Sequence, residues 1–231
     1  MEQATSPSLL LQESSAEIGV PLSIEQVQRF MVYLKQLQLW NQSFNLTSIT
    51  LDDEIIIKHF VDSLAALRAD DIRPGSKVLD VGTGAGFPGI PLKIARLDLN
   101  ITLIEPARKK SSFLHFIIGL LRLESVDIFD GTLERFLNER LPYGSFDYLT
   151  TRALKHDLIL HNGTRLLRPG GKAILYSSQP INQSDLSSNW LLMSEYTFQL
   201  QKGYGQRVVS LAIPASLNQN VFDVPRGTNL L

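Results

Sequence analysis

From about residue 74 onward, short apolar runs alternate with longer stretches of amphipathic periodicity. The short runs have the length of strands and are rich in Val, Ile and Leu, which is typical of strands buried in a parallel sheet. The predicted strands are 77–81, 101–105, 125–129, 146–150 and 172–177. The predicted helices are 90–97, 108–122, 132–139, 153–167 and 184–189. This alternation predicts an α/β fold with a mostly parallel sheet and helices on both of its faces.

The two ends of the chain have different patterns. Ser23 and Gln26 form a capping pattern ahead of apolar positions at helical spacing, which continue to Trp40. A loose arm or short helix is predicted before this helix, and Asp53–Leu67 is predicted to be helical. Near the other end, Glu195–Leu200 and Arg207–Ile213 predict an antiparallel hairpin. We therefore divide the chain into a helical N-terminal extension, a cofactor-binding domain and a loose C-terminal tail, at 1–70, 71–213 and 214–231.

A glycine-rich turn follows the first predicted strand. Asp80 lies at the carboxyl end of that strand, where open α/β sheets bind ligands, and Gly82, Gly84 and Gly86 follow it. Glycine adopts positive φ readily and lets a ligand approach the main chain closely. The spacing differs from the dinucleotide fingerprint, and no Lys-Ser/Thr pair follows, which excludes a P-loop. D-x-G-x-G-x-G resembles motif I of the S-adenosylmethionine-dependent methyltransferases; the alternative is a turn that binds nothing.

A second acidic residue fits the same kind of pocket. Glu105 ends the second predicted strand, about 20 residues beyond the last motif glycine, as expected for a carboxylate that binds a ribose. The alternative is an ordinary solvated strand end. On the first interpretation, Gly82, Gly84 and Gly86 line the methionine part of the cofactor. Asp80 then lies near its amino group, and Glu105 accepts hydrogen bonds from its ribose hydroxyls.

Composition narrows the chemistry. The 231 residues include no cysteine, which excludes disulfides, thiolate nucleophiles and cysteine-ligated metal sites. The N-terminus does not resemble a signal peptide, and no apolar run approaches the roughly 20 residues of a membrane span, so we expect a cytoplasmic protein without a membrane partner. The formal net charge of −1 argues against tight, unaided binding to RNA. Any contact with RNA is therefore expected to depend on a local basic patch.

Five separate segments are similar to one family. They are WNQSFNLTSI, KHFVDSL, LDVGTGAGFPGIPL, LIEPARKKSSFL and TTRAL, and the resemblance extends from about Ser23 to about Arg207. In order and spacing they resemble the ribosomal RNA small-subunit methyltransferase G family, also called glucose-inhibited division protein B. The resemblance implies a Rossmann-like class I methyltransferase fold and S-adenosylmethionine as cofactor. It also implies N7-methylation of one guanosine in bacterial small-subunit (16S) ribosomal RNA, free or in a ribosomal particle, and we expect a monomer.

The resemblance also assigns residues to the cofactor. Phe87 is implied as a contact within the turn, and Thr132, Leu133 and Glu134 are implied along the adenine edge. For Leu133, plain core packing is the alternative. Three positively charged positions of the family are missing or moved: they fall at Thr132, at Ser177-Ser178 and near Ile213. This leaves two other functions open, a catalytically weakened cofactor-binding protein of ribosome assembly or regulation, and a small-molecule methyltransferase.

The residues fit a reaction without a general base. Guanine N7 carries a lone pair and no proton, so catalysis there consists mainly of alignment. Arg152, at the end of the fourth strand, is the candidate catalytic residue and also a candidate cofactor contact; its planar fork suits guanine O6 or a phosphate. As the alternative, Arg152 forms an ion pair with a nearby carboxylate such as Asp147.

Two further groups are candidates for binding the substrate. Arg108, Lys109 and Lys110 open a helix, where their charges oppose the helix dipole, and phosphate contact is the predicted use. The alternative is a solvated basic face. His59 and Asp62 share one face of a helix. They are too few for a metal site, and we predict that they close the site or bond the loop around Asn45, with a purely structural pair as the alternative.

Overall fold

The computed structural model of the protein describes residues 6–152 and 156–215. Within these residues, seven strands form one sheet with the order β3-β2-β1-β4-β5-β7-β6. The strands are β1 (Lys77–Val81), β2 (Asn100–Ile104), β3 (Val126–Phe129), β4 (Phe146–Thr151), β5 (Leu167–Ser177), β6 (Trp190–Gln199) and β7 (Gln206–Pro214). The first five are parallel, and β7 runs antiparallel to both β5 and β6. The predicted α/β fold and its C-terminal hairpin are confirmed.

Helices cover both faces of this sheet. They are α1 (Pro7–Glu17), α2 (Ile24–Phe44), α3 (Asp52–Ile55), α4 (Asp62–Leu64), α5 (Ala66–Ala69), α6 (Gly89–Ala95), α7 (Arg108–Leu121), α8 (Leu133–Arg140) and α9 (His156–Leu166), with a π-helix at Ile56–Val61. Apolar residues of α1, α2, the π-helix and α7 share one continuous core with one face of the sheet. Residues of α8 and α9 pack against the other face. The division into an extension, a cofactor-binding domain and a tail stays a prediction, and the tail beyond residue 215 lies outside the described residues.

The position of β1 in the sheet brings the candidate residues together. Val78 pairs with Ile101 on one side and with Tyr148 on the other, so β1 lies between β2 and β4. All three strands are parallel, and their carboxyl ends therefore meet at one edge, which is where α/β sheets bind ligands. The backbone N–H groups of Gly82 and Thr83 donate to the Ile104 carbonyl at 2.9 and 3.1 Å. These bonds tie the glycine turn to the end of β2.

The N-terminal helices form as their caps predict. Ser23 accepts a hydrogen bond from the Gln26 backbone, and the Gln26 side chain accepts one from the Ser23 backbone, which completes the predicted capping box. Pro7–Glu17 is a helix capped by Ser6, so the short helix, and not a loose arm, is the observed structure. Its Ser14 hydroxyl donates to Gln201 at 2.7 Å in the turn between β6 and β7. The first helix is thereby bonded to the last hairpin.

Three predictions differ from the structure. The helix predicted at 184–189 is wrong, because reciprocal bonds between Asn182 and Asp185 form a short 3₁₀ turn and Trp190 enters the core as the start of β6. The helix predicted at 53–67 contains the π-helix. β5 begins at Leu167, five residues before the predicted start at 172, and the added residues 168–170 are exposed at an irregularity of the strand pairing. In the described ranges, no helix is both long and apolar enough to cross a membrane.

Candidate functional site

The glycine turn leaves β1 with three residues at positive φ. These are Gly82 (+69°), Gly84 (+64°) and Gly86 (+108°). Gly86 also lies against its neighbours: a Cβ there would be 2.6 Å from the Ile90 Cδ1 atom and 2.7 Å from the Tyr33 hydroxyl oxygen. Gly82 and Gly84 line the open side of the turn, whereas Gly86 lies behind it. Gly86 therefore packs against α2 and α6, and its predicted contact with the methionine part of a ligand stays a prediction.

Asp80 organises this turn from the inside. Its Oδ2 atom accepts hydrogen bonds from the Thr83 hydroxyl at 2.6 Å and from the Gly89 backbone at 2.8 Å. Its Oδ1 atom is buried and has no hydrogen-bond partner in the described ranges. Burial raises the pKa of Asp80 to about 6, against the lowering effect of the two hydrogen bonds. Asp80 therefore shapes the loop, and its predicted contact with a ligand amino group rests on the unpaired Oδ1 alone.

Glu105 lies directly against the glycine turn. Its Oε2 atom accepts from the Gly84 backbone at 2.8 Å, and its Oε1 atom accepts from the Ala107 backbone at 2.8 Å. The side chain is almost completely buried. Each oxygen of an ionised carboxylate has capacity for a second donor. Glu105 thus combines a fixed position with acceptor capacity for a pair of hydroxyl groups.

Two adjoining cavities lie beside this turn. The larger, about 340 Å³, extends from the glycines past Glu105 to Thr132, Leu133 and Glu134. The smaller, about 250 Å³, extends from the same glycines to Phe87 and Arg152. Both share the walls Gly82, Gly84 and Lys110. We call the two together the glycine-turn cleft. Most of the residues predicted to bind the cofactor line it; Asp80 and Gly86 do not.

Three residues at the start of α8, Thr132, Leu133 and Glu134, line the larger cavity beyond Glu105. Thr132 caps α8 by accepting from the Arg135 backbone at 3.3 Å. Leu133 is buried and packs in the core beneath α8, so the core-packing alternative holds for part of its surface. Glu134, by contrast, is exposed. All three line the larger cavity, which is compatible with their predicted place along an adenine edge.

Arg152 is held by the helical segment that precedes β1. Its guanidinium donates to the Lys58 carbonyl at 2.9 Å, to Asp62 Oδ2 at 3.1 Å and to His59 Nδ1 at 2.9 Å. It also lies over the Phe87 ring, with 5.1 Å from Cζ to the ring centroid. The accepting Lys58 carbonyl lies within the π-helix at Ile56–Val61. We call Arg152, His59, Asp62, Phe87 and Thr47 the arginine cluster.

His59 is neutral and has a single hydrogen-bonding arrangement. A guanidinium only donates, so Nδ1 is the acceptor from Arg152 and the ring proton lies on Nε2. Nε2 then donates to the Thr47 hydroxyl at 2.9 Å. The ring stacks on Phe87 with centroids 4.4 Å apart. Burial and the nearby Arg152 charge lower the pKa of His59 to about 3. The prediction that His59 bonds the loop near Asn45 is confirmed through Thr47.

Asp62 is the carboxylate partner of Arg152. The sequence alternative named Asp147, which is wrong: Asp147 is bonded to Arg168 and accepts from the Lys77 backbone. Asp62 is buried, and Arg207 lies 3.9 Å from its Oδ1 atom. Burial raises the pKa of Asp62, while the two arginines oppose this change. Arg152 therefore forms an ion pair, as the alternative expected, and it also lines the cleft; its catalytic role stays a prediction.

The predicted substrate residues occupy three different places. Lys110 lines both cavities of the glycine-turn cleft. Lys109 lies over the Phe44 ring at 5.7 Å from its centroid, and Arg108 lines a separate cavity with Ser111 and Thr132. Asn45 ends α2 in the left-handed conformation, with φ of +50°, and lines a cavity of about 620 Å³ with other amide side chains. They lie around the cleft but form no single site. In the described ranges no three His, Asp or Glu side chains are grouped as metal ligands.

Sequence reasoning missed three contributors. Tyr33 donates to the Ala85 carbonyl at 2.5 Å and stacks 5.5 Å from Phe87, which holds the glycine turn against α2. The Tyr33 hydroxyl lies on an otherwise apolar face of α2, and this polar group could have indicated a hydrogen bond inside the core. Thr47 belongs to the arginine cluster and Arg207 lies beside it, and no spacing in the sequence relates either residue to Arg152.

Comparison with known proteins is consistent across methods. A family model described as rRNA small subunit methyltransferase G matches residues 26–203. A protein of that name from Caldanaerobacter subterraneus subsp. tengcongensis is 36% identical over 175 residues, covering 75% of this chain and 73% of its own length. One from Clostridium beijerinckii is 37% identical over 180 residues, covering 78% and 75%.

Solved structures support the fold. The crystal structure of TrmN from Thermus thermophilus matches with a TM-score of 0.53 at 20% identity, covering 67% of this chain and 48% of that one. A SAM-dependent methyltransferase from Aquifex aeolicus matches with a TM-score of 0.50 at 16% identity, covering 69% and 93%. At such identities these similarities establish the architecture alone.

Proposed function

Because the chain belongs to the rRNA small subunit methyltransferase G family, we propose that it methylates N7 of one guanosine in small-subunit ribosomal RNA. S-adenosylmethionine is the methyl donor. The observation that carries the proposal is the bond of 2.8 Å between Glu105 and the Gly84 backbone. It joins the acid that ends β2 to the glycine turn that ends β1, so that a ribose acceptor and a close-approach turn border one cleft.

The cleft residues suit this cofactor. The glycine-turn cleft offers backbone without side chains at Gly82 and Gly84, and a carboxylate with acceptor capacity for the ribose diol at Glu105. Thr132, Leu133 and Glu134 border the place assigned to adenine, and Phe87 borders the methionine side. The buried, unpaired Oδ1 atom of Asp80 suits an ammonium donor, provided that the turn adjusts to admit it.

The proposed reaction needs no general acid or base from the protein. When bound, S-adenosylmethionine supplies an electrophilic methyl group, and guanine N7 has a lone pair ready to accept it. The chain's task is to align the guanine and to exclude competing orientations. His59, which is neutral over the physiological pH range, orients Arg152 and does not need to exchange a proton.

Arg152 is the proposed catalytic residue. Its Nε–H group has no hydrogen-bond partner in the described ranges, and its side chain lines the smaller cavity. We propose that this donor orients guanine O6 or a flanking phosphate. Contact with O6 leaves N7 free, and it avoids placing a positive charge on the atom that becomes positive during transfer.

The surrounding basic residues are proposed to hold the RNA. Lys110 faces the cleft, and Arg108 and Lys109 lie beside it at the start of α7. His59 and Asn45 are proposed to contact the substrate side of the cleft. The family's positive charges are absent at Thr132 and at Ser177-Ser178. We infer that the remaining cations carry more of the RNA contact here, in the cytoplasm where bacterial ribosomes are made.

The proposal is tested by nucleoside mass spectrometry of small-subunit ribosomal RNA, with and without the gene. We expect loss of one 7-methylguanosine per molecule and its restoration by the purified protein with S-adenosylmethionine. Calorimetry on the same protein measures cofactor uptake separately. Unchanged 7-methylguanosine with retained uptake would contradict the RNA substrate, and absent uptake would contradict the cofactor as well.

A further inference from the structure

An exposed group of aromatic rings lies where α2 meets α7. Trp40 has its ring centroid 5.4 Å from that of Phe44 and 5.2 Å from that of Phe116. Phe44 and Phe116 are each 39% exposed, although phenylalanine is usually buried. The Lys109 ammonium lies above the Phe44 ring. We call Trp40, Phe44, Phe116 and Lys109 the aromatic patch.

The aromatic patch lies between the glycine-turn cleft and the amide-lined cavity. Phe44 immediately precedes Asn45, a wall of the cavity of about 620 Å³, whose other walls include Gln38, Asn41 and Gln42. Lys109 immediately precedes Lys110, a wall of both parts of the cleft. Chain continuity alone therefore places these exposed rings next to the site where the methyl group is transferred.

The two chain segments that carry the patch contain basic residues and no acidic ones, and the carboxylates that touch them, Asp52 and Asp130, are bonded to Gln38 and Ser111. Neither residues 31–51 nor residues 106–123 contain an Asp or a Glu, whereas Lys35, Arg108, Lys109 and Lys110 fall within them. A second copy of this surface would bring like charges together. A single-stranded nucleic acid fits better, because its bases stack on aromatic rings and its phosphates attract the lysines. Asparagine and glutamine side chains in the adjoining cavity are suited to the hydrogen-bonding edges of a base.

We propose that the aromatic patch is the stacking site for an unpaired nucleotide beside the methylated guanosine, an inference that rests on the proposed function. The base stacks on Phe44, and the Lys109 ammonium, whose position 5.7 Å from the ring centroid is a loose contact, turns to the nucleotide's phosphate. Gln42 and Asn45 face the edge of the base, because the amides of Gln38 and Asn41 are already bonded to Asp52 and Thr47. The patch thereby holds the RNA strand in register with the cleft.

The chain contains its own reporter of stacking. It has two tryptophans, and Trp190 is fully buried, so quenching by dissolved RNA reports on Trp40. The probes are a single-stranded RNA octamer and an abasic octamer with the same number of phosphates. We expect the base-containing octamer to quench the fluorescence and to bind about tenfold more tightly than the abasic one. Equal binding of both probes would overturn the proposal, because it would leave only a charge contact.

Variants separate stacking from folding. Phe44→Ala is expected to raise the KM for deproteinised ribosomal RNA about tenfold and to abolish the preference for the base-containing octamer. Phe44→Tyr keeps a stacking ring and is expected to stay within about twofold of the unaltered protein. Leu120→Ala is the control for loss of exposed apolar surface, because Leu120 is 47% exposed on α7, the helix that carries Phe116 and Lys109, but has no π-face. Cofactor affinity is expected to remain unchanged in all three.

Two results would overturn the proposal while leaving the methyltransferase function intact. One is an equal effect of Phe44→Ala and Phe44→Tyr. The other is a loss that appears with assembled ribosomal subunits but not with deproteinised RNA, which would assign the patch to a ribosomal protein. If the unaltered protein methylates no ribosomal RNA, the proposed function fails, and octamer quenching still reports whether the patch stacks bases.

Discussion

The glycine-turn cleft and the arginine cluster meet at one edge of the sheet, but the chain builds them differently. The cleft is formed largely by backbone: a turn with positive φ, bonds from Gly82 and Thr83 to the end of β2, and the Glu105 carboxylate. The cluster is formed by side chains from four separate segments, and its central pair, Arg152 and Asp62, is 90 residues apart. A local sequence motif determines the cleft, whereas the arginine cluster forms only when distant segments come together in the complete fold.

Because of this difference, we expect substitutions in the cleft and in the cluster to affect different properties, ligand binding and stability respectively. The cleft's polar groups have acceptor capacity left for a ligand, so damage there is expected mainly to weaken binding. The cluster's groups are buried and bonded to one another, so damage there is expected mainly to destabilise the fold. Each of the following substitutions tests one side of this division.

The largest effect is expected for Asp62→Ala. Removing this carboxylate leaves Arg152 buried and without its ion-pair partner, with Arg207 nearby. We expect a loss of about 4 kcal/mol in the free energy of unfolding. Glu54→Ala, which removes the more exposed pair with Lys58, is the control and is expected to cost less than about 1 kcal/mol. Urea unfolding measures both, and equal losses would show that the cluster is not specially stabilising.

Gly86→Ala is expected to cost about 3 kcal/mol of stability, because a Cβ would meet Ile90 and Tyr33 at a φ of +108°. Gly75→Ala is matched to it: φ there is +75°, but nothing lies within 4 Å of the added Cβ. The control is expected to lose about 1 kcal/mol from backbone strain alone. Denaturant midpoints check this pair, and equal losses would argue against the packing role of Gly86.

Glu105→Gln is expected to weaken S-adenosylmethionine binding by about thirtyfold, or roughly 2 kcal/mol, because charge-assisted bonds to the ribose are lost. The amide oxygen keeps one of the two backbone N–H donors, at Gly84 or Ala107, and the amide NH2 group faces the other. We therefore expect the free energy of unfolding to fall by about 1 kcal/mol as well. Calorimetric titration measures the cofactor affinity of this variant, and urea unfolding measures its stability. A large loss of stability with unchanged affinity would reverse the assignment.

His59→Gln is expected to remove a pH dependence of stability that appears only in acid. The unfolded state binds a proton below a pKa of about 6.5, whereas folded His59 has a pKa of about 3. Unfolding therefore takes up a proton, and this contribution to stability falls as the pH drops from 6.5 toward 3. Between pH 7 and pH 5 the unaltered protein should lose about 2 kcal/mol more than the variant.

Asp62 and Asp80, whose pKa values are raised, act in the opposite direction but are present in both proteins. The difference between the two stability–pH curves therefore isolates the imidazole. Parallel curves over this range would show that His59 is solvated and titrates normally.

The same contrast explains what the sequence predicts. Strands such as Lys77–Val81 follow from runs of apolar residues, and the Glu105 position follows from its spacing after the turn. Periodicity cannot distinguish the π-helix at Ile56–Val61 from an α-helix, because both place apolar side chains inward. Nor does any local pattern pair Arg152 with Asp62 in preference to Asp147. That choice is made by the packing of the N-terminal helices on the sheet.

The bond between Ser14 and Gln201 has a consequence for synthesis of the chain. These residues are separated by 187 positions, so the helix made first meets its partner only after nearly all of the polypeptide has been translated. At about 5–20 residues per second, the wait is roughly 10–40 s. During that interval α2 and the π-helix can already cover the apolar side of the first helix, and only its polar link to the hairpin has to wait for the end of synthesis.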